Sequence, residues 1–269
     1  MKRGYLQANG IHLHYLDSEG KGPAVLLLHG LMGRATTWLE TAKWLIPHFR
    51  VIALDQRGHG LSEKVENAYS RKHYVDDAIA MIEHLQLSPV IVIGHSLGAL
   101  NAWVLAARRP DLVSAVIIND MTANTLGLPY RESWASWFDR WPLPFASMKE
   151  VRGYFYSLRP SYADYFMEIM EEREDGYRPL FEVEHMLQSI DGQKESNYWS
   201  ELREVQCPAL VVRGEMSDMP RAEMIEMANQ LRYGQFVEIP GAGHVVHYDQ
   251  PASWKEVVLS FLKERKFYS

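Results

Sequence analysis

The stretch Val90-Ile91-Val92-Ile93-Gly94-His95-Ser96-Leu97-Gly98-Ala99 constrains this chain more than any other. A run of β-branched residues stops at Gly94, and a lone serine follows two residues on. Gly98 comes next, then a segment rich in alanine and leucine that continues to Arg108. The order predicts a strand, a very tight turn and a helix. Gly94 and Gly98 flank the serine because strand and helix approach too closely there for side chains. Such a turn pushes the Ser96 hydroxyl out of the fold at the start of the helix. This is the G-x-S-x-G pattern of a nucleophile elbow, and it sits in the strand-to-helix context that the motif requires.

The same strand and helix rhythm runs through much of the chain. Residues 4–18 read as a hairpin turning at Asn9-Gly10, with Ile11, Leu13 and Tyr15 on one face and His12 and His14 on a solvated one. Residues 24–28 are continuously apolar, as suits a strand buried on both faces of a parallel sheet. Residues 51–54, 113–118, 209–212 and 236–239 predict further strands, and residues 36–46, 69–87, 221–231 and 254–263 predict helices. Alternation of this kind implies right-handed βαβ units and a sheet covered on both sides. The rhythm breaks over 121–203. That segment has many tryptophans, tyrosines and phenylalanines and is punctuated by Pro142, Pro144, Pro160 and Pro179. It reads as a set of inserted helices, with the acidic stretch 168–175 as a solvated helix face. The expected division is a core of residues 1–120 and 204–269 around an insertion, 121–203.

Composition narrows the partners. A formal net charge of −6 without a Lys/Arg run argues against nucleic acid and polybasic membrane contacts. The start of the chain leads into alternating sequence, so neither a signal peptide nor a transmembrane helix is expected. The single cysteine, Cys207, excludes an intrachain disulfide framework and reads as a core residue beside Pro208. A cytoplasmic, reducing setting fits. His12 and His14 have metal-ligand spacing but no third ligand nearby.

A serine hydroxyl needs a base, usually histidine, oriented by a carboxylate. In a parallel sheet the loops after the strands converge on one edge, so both partners should come from such loops. His244 follows Gly241-Ala242-Gly243 at the end of one predicted strand, and Asp218 lies in the loop after residues 209–212. The order Ser96, Asp218, His244 suits an elbow nucleophile. Rivals stand beside each choice: Asp120 and Glu215 for the acid, and His247 for the base. Ser62 also follows a Gly-rich turn, but Lys64 occupies the place where an elbow needs glycine.

Leu26-Leu27-Leu28-His29-Gly30, Asp55-Gln56-Arg57-Gly58-His59-Gly60, the elbow and Gly241-Ala242-Gly243-His244 occur in that order. Together they make the chain resemble the α/β-hydrolase superfamily, in its esterase and lipase-like branch. The resemblance covers the core, and in the insertion it extends only to the position of a helical cap. It implies an α/β-hydrolase fold, with a mostly parallel central sheet, helices on both faces and an inserted lid. It also implies an oxyanion hole made of the backbone N–H groups of Leu31 and Leu97, with His29 and His59 in structural turns and His95 at most lining the pocket. Asp218 is where the family usually carries its acid, and Asp120 matches an alternative position. The activity implied is that of a serine hydrolase with no cofactor and no metal, acting on small to medium apolar carboxylic esters. Carbon–carbon, lactone, thioester or amide hydrolysis on the same triad, or a ligand receptor on this fold, are the alternatives. Dehalogenases and epoxide hydrolases of similar fold place aspartate where Ser96 stands.

Overall fold

The computed structural model describes residues 1–127, 131–194 and 196–268. The first half runs β1 (Lys2–Ala8), β2 (Ile11–Asp17), β3 (Ala24–Leu28), α1 (Leu39–Leu45), β4 (Arg50–Leu54), α2 (Arg71–His84), β5 (Val90–His95), α3 (Leu97–Arg108) and β6 (Val113–Asn119). An inserted stretch follows, with α4 (Arg131–Phe138), α5 (Met148–Leu158), α6 (Pro160–Glu168), β7 (Met170–Arg173), β8 (Gly176–Pro179), α7 (Val183–Gln193) and α8 (Trp199–Arg203). The chain then returns to the sheet with β9 (Ala209–Gly214), α9 (Arg221–Gln230), β10 (Gly234–Ile239), α10 (Val246–Asp249) and α11 (Pro251–Glu264).

Among the described residues the main sheet has eight strands in the order β1-β2-β4-β3-β5-β6-β9-β10. The β1–β2 and β2–β4 pairs are antiparallel, and every pair from β4 through β3, β5, β6 and β9 to β10 is parallel. Two apolar layers cover it. Leu26, Leu28, Val92 and Ile118 pack in one layer with residues of α2 and α3. Val25, Leu27, Ile93 and Ile117 pack in the other with residues of α1 and α11. Neighbouring residues of one strand thus fall on opposite faces, the two-residue period of a sheet buried on both sides.

Two local expectations change. His14 is buried rather than solvated, and its Nδ1 lies 2.8 Å from Asp55 Oδ2. The loop after β4 folds over that face of β2: Ser62 Oγ accepts the His14 N–H, and Glu63 N–H donates to the His12 carbonyl. His12 stays exposed beside Glu63. The acidic stretch 168–175 is not one helix face. Helix α6 stops at Glu168, and Met170–Arg173 pairs antiparallel with Gly176–Pro179. Glu174-Asp175 makes the turn, and Gly176, which pairs with Arg173, has φ 129°, a conformation open to glycine.

The aromatic residues of the insertion build a third apolar cluster, which also holds Leu31, Met32 and Leu97 from the core loops. Phe155 and Phe166 stack with centroids 4.0 Å apart, and Trp141 meets Phe155 edge-on at 4.9 Å. The insertion therefore holds itself together and rests on the loops after β3 and β5. Cys207 is partly buried against the core, and burial pushes its thiol up to about 11, well away from a reactive thiolate.

Candidate active site

Ser96 stands between β5 and α3 with φ 51° and ψ −119°, a strained combination for a residue with a side chain. Two close fits and a hydrogen bond hold the turn. A Cβ on Gly94 would lie 2.2 Å from the Gly98 carbonyl oxygen, and one on Gly98 would lie 2.1 Å from the Leu28 carbonyl oxygen. Ser96 N–H donates to the Asn119 carbonyl at 2.9 Å, tying the elbow to the end of β6. These contacts explain the glycine pattern: α3 is pressed onto the ends of β3 and β5.

His244 comes from the loop after β10. Its backbone is held from two sides: His95 Nε2–H donates to the His244 carbonyl at 2.8 Å, and Gly243 N–H donates to Asp249 Oδ2 at 2.7 Å. Asp249 is in turn bound by Arg159, at the junction of α5 and α6, through a 2.9 Å hydrogen bond. His244 Nε2 lies 3.0 Å from Ser96 Oγ.

The carboxylate at the other ring nitrogen belongs to Asp120. Its Oδ2 lies 2.7 Å from His244 Nδ1. Asp218, the acid expected from sequence, is exposed, and so is Glu215, which accepts the Gly241 N–H. The sheet explains the correction. Asn119 pairs with Val212, so the β6 chain leaves the sheet at Asp120 while β9 continues to Gly214. Asp120 is fully buried at φ 54°. Its Oδ1 accepts the Gly214 N–H at 2.9 Å, and its Oδ2 also accepts the Ser217 hydroxyl. The last residue of β9 and the loop after it thus supply donors to the Asp120 carboxylate. A carboxylate at Nδ1 can only accept, so that nitrogen carries the proton and Nε2 offers a lone pair to the serine.

Leu97 is the first residue of α3, where the amide has no partner within the helix. Leu31 lies in the loop after β3. The Gly30 carbonyl accepts from His29 Nδ1–H at 2.8 Å and from Gly33 N–H at 3.0 Å. Because a trans peptide holds its C=O and N–H in opposite directions, this grip turns the Leu31 N–H the other way.

The remaining histidines are structural in their contacts. His29 Nε2 accepts the Gln56 N–H, and His59 Nδ1–H donates to the Arg57 carbonyl. His247 stacks on Trp38 with ring centroids 4.4 Å apart. Burial lowers His29 to about 4 and His59 and His247 to about 3, and it holds His95 well below the usual imidazole range. Ser62 Oγ donates to the Asp55 carbonyl, away from the site. Among the described residues no group of three or more His, Cys, Asp or Glu is arranged to hold a metal ion.

A cavity of about 600 Å³ opens above Ser96 and His244. Trp134, Trp137, Tyr165 and Phe166 supply apolar wall from the insertion, and Arg140 and Lys194 bring positive charge to its lining. Some of the inserted rings therefore face this cavity, whereas Trp141 and Phe155 serve packing. The roles of Gly214 and Ser217 carry no local sequence signal: a glycine ending a strand and a loop serine are common.

The alpha/beta hydrolase family profile matches residues 25–256. The 2-(acetamidomethylene)succinate hydrolase of Mesorhizobium japonicum is 32% identical over 255 residues, covering 91% of this chain and 89% of that protein. The (E)-2-((N-methylformamido)methylene)succinate hydrolase of Acinetobacter baylyi is 26% identical over 274 residues, covering 95% and 96%. The crystal structure of E-2-(acetamidomethylene)succinate hydrolase superposes with a TM-score of 0.87 at 29% identity, covering 97% of this chain and 99% of that one. No helix of the described residues is long and apolar enough to cross a membrane. The chain is a member of the alpha/beta hydrolase family.

Proposed function

We propose that this protein is a serine hydrolase that opens a carboxylic acyl bond in a small molecule. Ser96 is the nucleophile, His244 the base and Asp120 the acid that orients it. The reading rests on one observation above all: the hydrogen-bonded run from Asp120 through both nitrogens of His244 to Ser96 Oγ. His244 Nε2 takes the Ser96 proton as Oγ attacks the carbonyl carbon. The N–H groups of Leu31 and Leu97 hold the resulting oxyanion, aided by the positive end of α3. His244 then returns the proton to the leaving group, and water releases the acyl group from Ser96 by the same steps in reverse. The insertion serves as a cap that covers the acyl-enzyme.

The relatives shift the substrate away from simple apolar esters. Both named substrates contain an amide and a succinate. The cavity lining suits that combination, with aromatic wall beside Arg140 and Lys194. Two acidic residues, Asp218 and Glu223, also line it, and Glu223 is engaged by Thr122 and the Asn124 N–H. The substrate proposed is thus a carboxylate-bearing amide or ester. A fluorophosphonate probe should label the protein, and Ser96→Ala should abolish labelling. The same variant should cut turnover of a p-nitrophenyl ester or an amidomethylene succinate by roughly a thousand-fold or more. Near wild-type turnover by Ser96→Ala would overturn the assignment.

A further inference from the structure

We infer that Ser217 is a positioning residue that fixes the Asp120 carboxylate against His244; this rests on the triad reading above. Asp120 Oδ2 receives two hydrogen bonds, from His244 Nδ1–H and from the Ser217 hydroxyl. The serine proton has a single use, because Ser217 Oγ itself accepts the Met219 N–H at 3.1 Å. Gly214 N–H holds the other carboxylate oxygen. With one oxygen gripped from the end of β9 and the other from the loop after it, the carboxylate cannot swing about its Cβ–Cγ bond.

The loop is built to hold that hydroxyl in place. Buried Arg213 donates to the carbonyls of Glu215 at 3.0 Å, Ser217 at 2.7 Å and Met219 at 2.8 Å, and it pairs with Glu238 at 2.9 Å. One guanidinium therefore sets the path of the chain on both sides of Ser217. The donor count matters chemically. A buried carboxylate with three hydrogen bonds has its plane fixed, which keeps Oδ2 in line with His244 Nδ1–H. Other titratable groups surround His244 as well. The His95 ring is 4.8 Å away, with His247 behind it, and the Arg159–Asp249 pair flanks Gly243. None of these touches the Asp120 oxygens.

The test is kinetic and spectroscopic. Ser217→Ala should lower kcat about 10-fold with little change in KM, as expected for one hydrogen bond to a charged group. The His244 Nδ1 proton, followed far downfield by NMR, should exchange with water faster in this variant. Ser217→Thr keeps the hydroxyl and should restore both kcat and slow proton exchange. If Ser217→Ala fails to fold, Ser217→Cys, isosteric but a weak donor, should give the same losses. A folded Ser217→Ala or Ser217→Cys with wild-type kcat and proton exchange would overturn the inference. The NMR readout also separates the two proposals. Loss of fluorophosphonate labelling in the wild type would strike the hydrolase reading, while unchanged proton exchange in the variant would strike the role of Ser217.

Discussion

Asp120 and His244, 124 residues apart in sequence, meet at 2.7 Å between Oδ2 and Nδ1. The contact distinguishes two aspartates that sequence alone leaves as rivals. Asp120→Asn should lower kcat by roughly a thousand-fold or more, because an amide can donate to Nδ1 and favour the wrong tautomer. Asp218→Asn, altering an exposed side chain on the cavity rim, should leave kcat within about three-fold. Steady-state kinetics on the two variants check this. A severe loss in Asp218→Asn with mild loss in Asp120→Asn would reverse the assignment.

The buried neutral histidines make stability depend on pH. Imidazoles of an unfolded chain take up protons as pH falls through about 6.5, whereas native His29 waits until about 4 and His59 and His247 until about 3. Between those limits the unfolded state binds more protons, so stability rises with pH and is lost on acidification. Each histidine contributes a slope of at most about 1.4 kcal/mol per pH unit in this window. Urea midpoints measured from pH 8 to pH 4 should be nearly flat at the alkaline end and fall steadily below about 6.5. His247→Asn should lessen that fall. A wild-type midpoint that does not move between pH 6.5 and pH 5 would refute this account.

Gly98 and Gly153 lie in helices with opposite surroundings. A Cβ at Gly98 would meet the carbonyl oxygens of Leu28 at 2.1 Å and His29 at 2.5 Å, both backbone, whereas one at Gly153 meets nothing within 4 Å. Gly98→Ala should therefore cost about 3 kcal/mol and depress activity, because α3 must move off β3 and carry Ser96 with it. Gly153→Ala should stabilise by about 0.5–1 kcal/mol through the lower entropy of the unfolded chain and better helix propensity. Thermal unfolding of the two variants gives the comparison. Equal effects would show that the elbow tolerates the displacement.

Local pattern was enough to read much of this molecule. Apolar runs such as residues 24–28 and 90–93 announce strands buried on both faces, and Gly94 and Gly98 announce the elbow, because each depends on neighbours within a few residues. The candidacy of His244, which lies beside Ser96, has the same kind of signal, a histidine closing a Gly-rich turn after a strand. The hairpin at residues 170–179 was not, because short polar strands carry no apolar alternation.

What tertiary structure decided is the partner of His244, the burial of His14 and the donors on Asp120. All three depend on which strand lies beside which and in what register. The pairing of Asn119 with Val212 sets where β6 and β9 end relative to each other, and the Arg213 clamp then turns Ser217 toward Asp120 while Asp218 lies exposed. No periodicity within one segment encodes that relation. It arises only when parallel strands distant in sequence hydrogen-bond and bring their following loops to a common edge.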